Sequence, residues 1–468
     1  MLKERLPISQ GLQYVTEQLE LMSSAGRRML LHQPMLADAG ALNEEYDNTA
    51  QAIALLADDR CRKPVIDLRH CLMQLHDIQN TLTSLAAHQV LTEVDLFEIK
   101  KFAHLALTAA KAASEIGDPF NGILGLPDLH EPFGILDPDG TQVPHFYIYD
   151  SYHPDLPGLR RAMKAAQDRP EELASLMARH EQLQREVITR LCDLLQPHAA
   201  VMDKALQRLA YLDVLLAKAE LSTRWHLCRP TLAGPDEGTA YKGLYNPRLK
   251  ARNEELGLRY QPVDIELRSG LTLITGANMA GKTVLLKTVA TAQLMAQYGF
   301  YVPADEAQVV PVDDVETSIG DAQDEMNGLS SFASEIGQIS HILQRSRSER
   351  LLILIDEPAR TTNPIEGRAI VQALCRLLAT GNGMALITTH YSQLHVDCRR
   401  LRVKGFVEDM DNIPITPQSI NRFIDYSLQP DDGDHVPHEA LRIATLLNAD
   451  KALLEEARLA CENSTPQP

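Results

Sequence analysis

One octapeptide, Gly276-Ala277-Asn278-Met279-Ala280-Gly281-Lys282-Thr283, narrows what this chain can fold into more than any other segment. It fits G-x-x-x-x-G-K-[ST] in full, and its flanks agree with the match. The apolar run Leu271–Thr275 enters it, and Val284, Leu285, Thr288 and Val289 leave it at helical spacing. Strand, glycine loop and helix in that order call for an α/β sheet with the loop at a strand's C-terminal end. The glycines let backbone N–H groups turn toward an anion without a Cβ in the way. The helix N-terminus adds partial positive charge there. The expected ligand is ATP, with Lys282 against the β- and γ-phosphates and the Thr283 hydroxyl on Mg²⁺.

A second element supports the first. Leu351-Leu352-Ile353-Leu354-Ile355 reads as a central strand, and Asp356 and Glu357 stand at its end. Asp356 is the expected metal ligand, directly or through water. Glu357 is the expected catalytic base that takes a proton from the attacking water. A third strand, Met384–Thr388, leads to Thr389-His390-Tyr391, where His390 is expected to sense a γ-phosphate. Asn363-Pro364-Ile365-Glu366-Gly367 reads as a helix start, with Asn363 as N-cap and Pro364 at N1.

The rest of the chain reads as follows. Residues 1–118 form an expected helical core, with Leu72, Leu75, Ile78 and Leu82 at helical spacing. In 119–157 the turn signal Asp137-Pro138-Asp139-Gly140 lies between Phe133–Leu136 and Phe146–Tyr149, which predicts a β-hairpin. Residues 158–230 carry two long apolar stripes with a break at Pro197, which predicts a lever-like helical hairpin. Residues 231–430 form the α/β domain with a mainly parallel sheet, and 431–468 a C-terminal helical segment and tail.

Composition sets limits on partners. Of 468 residues 44% are hydrophobic, and the net charge of −18 repels a phosphate backbone on average. Seven cysteines, none in a C-x-x-C pair, argue against a zinc site or a disulfide framework and fit a reducing compartment. There is no signal-peptide core and no apolar stretch of membrane-spanning length, so a cytoplasmic protein with no membrane role is expected.

The motifs together resemble a family. Gly-Ala-Asn-Met-Ala-Gly-Lys-Thr is similar to the G-P-N-M-G-G-K-S/T loop of MutS-type DNA mismatch-repair ATPases, and the Asn-Met pair is the specific part. Tyr301-Val302-Pro303-Ala304 resembles the family's Y-V-P-A, and Ser330-Ser331-Phe332 with Glu335 its S-T-F…E signature. Asp356-Glu357 with Arg360-Thr361-Thr362 and Gly367 resembles its D-E…R-G-T…G run, and Thr389-His390-Tyr391 its T-H-Y. The likeness is strong over about residues 240–400. It implies a P-loop ATPase domain of ABC/MutS type behind an all-α core and lever. It further implies a homodimer or heterodimer with composite sites, in which the C-terminal segment takes part in dimerisation. Within such sites it places Ser330 on the γ-phosphate of the partner's ATP, Asn278 and Met279 in the phosphate loop, and Tyr260 on adenine.

The departures bear on rate and on communication between sites. Ala277 and Ala280 replace a proline and a glycine of the family loop. Pro358-Ala359-Arg360-Thr361 lacks the family's glycine pair, and Glu439 stands at a usual glycine. No segment resembles the mismatch-wedging domain with its Phe-x-Glu; Phe406-Val407-Glu408 follows the ATPase core and reads as strand residues. The joint at Asp168–Glu172 is short for a DNA clamp. Two targets follow. One is DNA, with Arg160, Arg161, Lys164, Arg169 and Arg179 as candidate contacts. The other is a protein client that the ATPase remodels or reactivates, such as a cobalamin-dependent aminomutase.

Overall fold

The computed structural model describes the chain except for residues 118–122, 277–279, 321–330, 392–393, 407–422, 432–440, 442–443, 446–448 and 465–468. Asn278, Met279, Ser330, Glu408 and Glu439 therefore lie outside the described residues. The chain divides into two compact units, and the division is not collinear. The first comprises 1–3, 19–33 and 47–223; the second comprises 4–18, 34–46 and 224–468. The expected 1–118 block is thus split between them.

The first unit is helical. Leu68, Leu72, Leu82, Leu96, Ile99, Phe102, Leu206 and Leu209 lie in one buried cluster, the outcome that their 3.6-residue spacing dictates. Asp213, buried on the long helix Ala199–Trp225, accepts hydrogen bonds from the N–H groups of Met22 and Ser23 and from the Ser23 hydroxyl. These donors tie residues 22–23 to a helix far along the sequence.

Two expectations differ from what is observed. The hairpin across 133–149 is absent: Phe133–Leu136 belong to a helix, His130–Leu136, because Leu129, Phe133 and Leu136 recur at helical spacing and are all buried. The turn itself forms, with Gly140 N–H donating to the Asp137 carbonyl at 3.0 Å and Gly140 at φ +63°. The second arm, 141–149, carries no strand pairing. It is held instead by side chains, since Lys100 Nζ, fully buried, meets Asp137 Oδ1 at 2.9 Å and Tyr149 Oη at 2.8 Å. The expected lever hairpin is also different. Pro170–Leu195 passes through one 3₁₀ turn, Gln196–His198, into Ala199–Trp225, and Leu195, Gln196 and Ala199 keep right-handed helical backbone. Proline at the second position of that 3₁₀ turn alters the hydrogen bonding without reversing the chain. The reversal falls before it, where Leu156–Ala165 packs on Pro170–Leu195.

The second unit contains two sheets. The larger has the order β10 (Ile424–Pro430), β9 (Arg399–Phe406), β4 (Gly270–Thr275), β8 (Met384–Thr388), β7 (Leu351–Asp356), β6 (Asp314–Ser318). Its pairs are parallel from β9 to β6, and the edge strand β10 runs antiparallel to β9. The smaller sheet is β1 (Thr231–Leu232), β5 (Glu306–Val309), β2 (Thr239–Leu244), β3 (Val263–Leu267). The helices relevant to the site are α1 (Gln10–Glu17), α2 (Pro247–Glu255), α3 (Lys282–Gln297), α4 (Ser331–Arg345) and α5 (Pro364–Ala379). Strands β4, β7 and β8 are buried over five residues each, as continuous apolar runs in a parallel sheet require. Residues 4–18 are part of this unit. A Cβ on Gly11 of α1 would come within 2.0 Å of Thr291 Oγ1 on α3. Arg5 pairs with Asp314, which also meets Arg345 at 2.9 Å.

The Lys100–Asp137 pair yields a prediction. Burial by itself would raise the Asp137 pKa, but hydrogen bonds from Thr141, Lys100 and the Gln142 N–H hold it down to about 2. A carboxyl depressed in the folded state contributes stability above its unfolded pKa of ~4 and loses it as pH falls from there toward the folded value. Lys100→Met strands a buried carboxylate and is expected to cost about 3–5 kcal/mol in denaturant unfolding of the helical unit. The cost should shrink as pH drops through that window, and a loss that ignores pH would refute the ion-pair account.

Candidate functional site

The glycine loop lies at the C-terminal end of β4 and opens α3. Gly281, the N-cap of α3, has φ +75°, and Gly276 has φ +141°, conformations that a Cβ disfavours. Ala280, the loop residue that carries a Cβ where the family has glycine, is buried. The Lys282 ammonium is also buried. It donates to the Gly276 carbonyl at 2.6 Å and lies 3.2 Å from Glu357 Oε1.

β7 is separated from β4 by β8, and side chains from the tips of β7 and β8 and from the first turn of α3 meet in one place. Thr283 Oγ1 donates to Asp356 Oδ2 at 2.5 Å. Thr388 Oγ1, from β8, donates to Asp356 Oδ1 at 2.6 Å. The Glu357 N–H in turn points to the Thr388 carbonyl and hydroxyl, each at 3.1 Å. Thr388 therefore fixes both acidic residues. A lone Thr at a strand end carries no distinctive pattern, and sequence reasoning assigned it no role.

The turn after Asp356 is strained. Glu357 has φ +44° and Ala359 φ +59°, and neither is glycine. Such residues cost about 1–3 kcal/mol each and persist only where surrounding contacts hold them. The Ala359 N–H donates to Glu335 Oε1 of α4 at 3.0 Å, and its carbonyl accepts from the Tyr391 hydroxyl at 3.2 Å. His390 is exposed, its ring 4.3 Å from that of Tyr391. Asn363 caps α5 as expected, accepting from the Ile365 N–H at 2.9 Å with Pro364 in the first turn.

Beside the loop is a cleft of about 330 Å³ that includes Leu249, Tyr260, Ala280, Gly281, Val403 and Tyr426 in its lining. Tyr260, expected on adenine, is thus close to the phosphate loop. Its hydroxyl accepts from the Asn246 N–H at 2.8 Å, and burial raises its pKa, which keeps the phenol neutral. Tyr426 went unnoticed in the sequence. Its ring would lie 3.0 Å from a Cβ at Gly281, so it covers the start of α3. Gln261 orients it, accepting from the Tyr426 N–H at 3.2 Å and donating to Asp425 at 2.8 Å. Burial opposes ionisation of Asp425, but bonds from Lys404, Gln261 and Ser427 hold its carboxyl well below the usual range. Nothing near Tyr426 in the sequence links it to the loop; the antiparallel edge strand brings it there.

The donor set near Thr283 is a hydroxyl and a carboxylate, both hard oxygen ligands that suit Mg²⁺. Among the described residues no group of three or more His, Cys, Asp or Glu gathers as a metal site. No described helix is long and apolar enough to cross a membrane.

Residues 272–463 match the model for MutS domain V. The DNA mismatch repair protein MutS of Thermus thermophilus is 33% identical over 235 residues, which is 50% of this chain and 28% of that protein. That of Chloroflexus aurantiacus is 32% identical over 283 residues, 57% of this chain and 29% of that protein. That of Thermus aquaticus is 33% identical over 232 residues, 50% and 27% respectively. The aligned part thus spans less than a third of these relatives' length.

Thr388→Val keeps the side-chain shape and removes the hydroxyl that serves both acids. The expected loss is about 1–3 kcal/mol in denaturant unfolding, because Asp356 and the Glu357 N–H lose a partner together. A variant as stable as the parent would show that the hydroxyl does not organise the strand tips.

Proposed function

We propose, because residues 272–463 match the model for MutS domain V, that the chain binds ATP with Mg²⁺ and hydrolyses it at composite sites of a dimer. The observation that carries this reading is the junction of the loop and the strand tip. The Thr283 hydroxyl donates to Asp356, and Glu357 lies beside Lys282. In this reading the backbone amides of Gly276, Ala280 and Gly281 turn toward the phosphates. Lys282 exchanges its Glu357 contact for the β- and γ-phosphates. Thr283 and Asp356 hold Mg²⁺, which when bound neutralises charge on the phosphate oxygens. Glu357, released from the lysine, accepts the proton of the attacking water. His390 reports on the γ-phosphate, and Ser330 of a second subunit completes the site. Tyr260 and Tyr426 border the space for the base.

We assign the target as DNA, on the strength of the relatives' name and the shared domain. One observation favours a protein client instead. Of the candidate DNA contacts, Arg160 is engaged by Asp150 and the Ile148 carbonyl, and Arg169 meets Glu172 at 2.6 Å. Their charge is partly spent within the chain, on top of a net charge of −18.

Two measurements test the proposal. Lys282→Ala should abolish ATP binding, while Glu357→Gln should keep ATP and lose turnover by about 10²-fold or more. Equal ATP uptake by Lys282→Ala and the parent would end the assignment. For the target, anisotropy with plain, branched and mismatched duplexes, with and without ATP at two salt concentrations, should give salt-dependent binding. No binding at low salt removes DNA and leaves the client reading.

A further inference from the structure

We propose that Glu335 is a positioning residue for turnover: from α4 it grips the Ala359 N–H and so holds the left-handed turn that presents Glu357. The inference rests on Glu357 being the hydrolytic base.

The turn is one that its own sequence opposes. Glu357 and Ala359 both have positive φ, and Pro358 lies between them. A residue before proline is pushed toward extended backbone, so Glu357 at φ +44° is disfavoured twice over. Ala359 stands where the resembling motif has a glycine, so its Cβ makes the φ of +59° costly as well. Such a turn relaxes unless other elements hold it.

Its start is held by β8, through the two bonds from the Glu357 N–H to Thr388. Its far end is held at Ala359, which is fully buried. Two side chains grip that residue on its two polar groups. Glu335 Oε1 accepts its N–H at 3.0 Å, and the Tyr391 hydroxyl donates to its carbonyl at 3.2 Å. Gly367 closes the space behind. A Cβ there would stand 2.3 Å from Tyr391 Oη and 3.0 Å from the Ala359 carbonyl oxygen, so the hydroxyl has little room to move. Take away the Glu335 oxygen and a buried N–H loses its acceptor. The turn then gains by rotating away from positive φ. Glu357 lies only two residues earlier, so its carboxylate leaves the place beside Lys282. What the contact needs from residue 335 is an acceptor oxygen, and a glutamine supplies one as well as a glutamate.

The test compares the parent with Glu335→Gln, Glu335→Ala, Tyr391→Phe, Ala359→Gly and the double variant Glu335→Ala/Ala359→Gly. Amide hydrogen exchange over residues 356–361 is measured beside ATP binding and turnover. Glu335→Ala should exchange faster over that peptide and lose turnover by about tenfold or more while ATP binding is retained. Glu335→Gln should behave as the parent. Tyr391→Phe, which loosens the turn from the other side, should shift exchange in the same direction and serves if Glu335→Ala does not fold. In the Ala359→Gly background the loss from Glu335→Ala should be smaller, since glycine adopts the turn without the Cβ penalty. Unchanged exchange in Glu335→Ala, equal losses for Gln and Ala, or a loss undiminished by Ala359→Gly would each overturn the proposal. A parent without turnover would instead defeat the hydrolase reading, and the exchange measurement would still decide whether Glu335 holds the turn.

Discussion

The Asp356 carboxylate is the point through which the second unit is organised. Its two oxygens accept from hydroxyls on two other segments, Thr283 at the start of α3 and Thr388 at the tip of β8. A carboxylate at the end of a buried strand needs such donors, because the apolar sheet offers it no solvation. The sheet order makes this arrangement possible. β8 lies between β4 and β7, so a side chain at its tip can serve both neighbours. The loop and the acid pair are far apart in sequence, and their register is set by the parallel ladders that flank β8.

The surroundings of that point differ in character. On the phosphate-loop side the backbone is shaped by glycines at Gly276 and Gly281, where positive φ costs little. On the acid-pair side it is shaped against local preference by contacts from α4, β8 and Tyr391. The first geometry is written into the residues that adopt it. The second is imposed from outside, by contacts from other elements.

This contrast also explains what the sequence discloses. The loop, the strand Leu351–Asp356 and the cap at Asn363 are local signals, each with its meaning inside about ten residues, and the strand and the cap form where they were read. Thr388, Gln261 and Tyr426 act through tertiary placement, and no spacing rule connects them to the loop. The hairpin expectation failed for a different reason. Phe133–Leu136 is too short for period alone to separate strand from helix, and the turn at Asp137–Gly140 pointed to the wrong partner. What decides that segment is the buried Lys100, which lies 37 residues before Asp137. The 3₁₀ turn at Pro197 shows a related limit, since a proline marks a change in the helix without saying whether the chain folds back.

Residues 4–18 belong to the unit that is completed last. Arg5 meets Asp314 across 309 residues, and α1 lies against α3. During synthesis α1 is made long before α3, the helix it packs on. Closing so long a loop is slow more than it is costly, since its entropy grows only with the logarithm of length. The helical unit, whose residues end at 223, can therefore form first, and the α/β unit is sealed when α1 meets α3. A ribosome-bound intermediate lacking residues beyond 280 would hold every residue of the helical unit and α1 without its partner helix, a species open to misassociation.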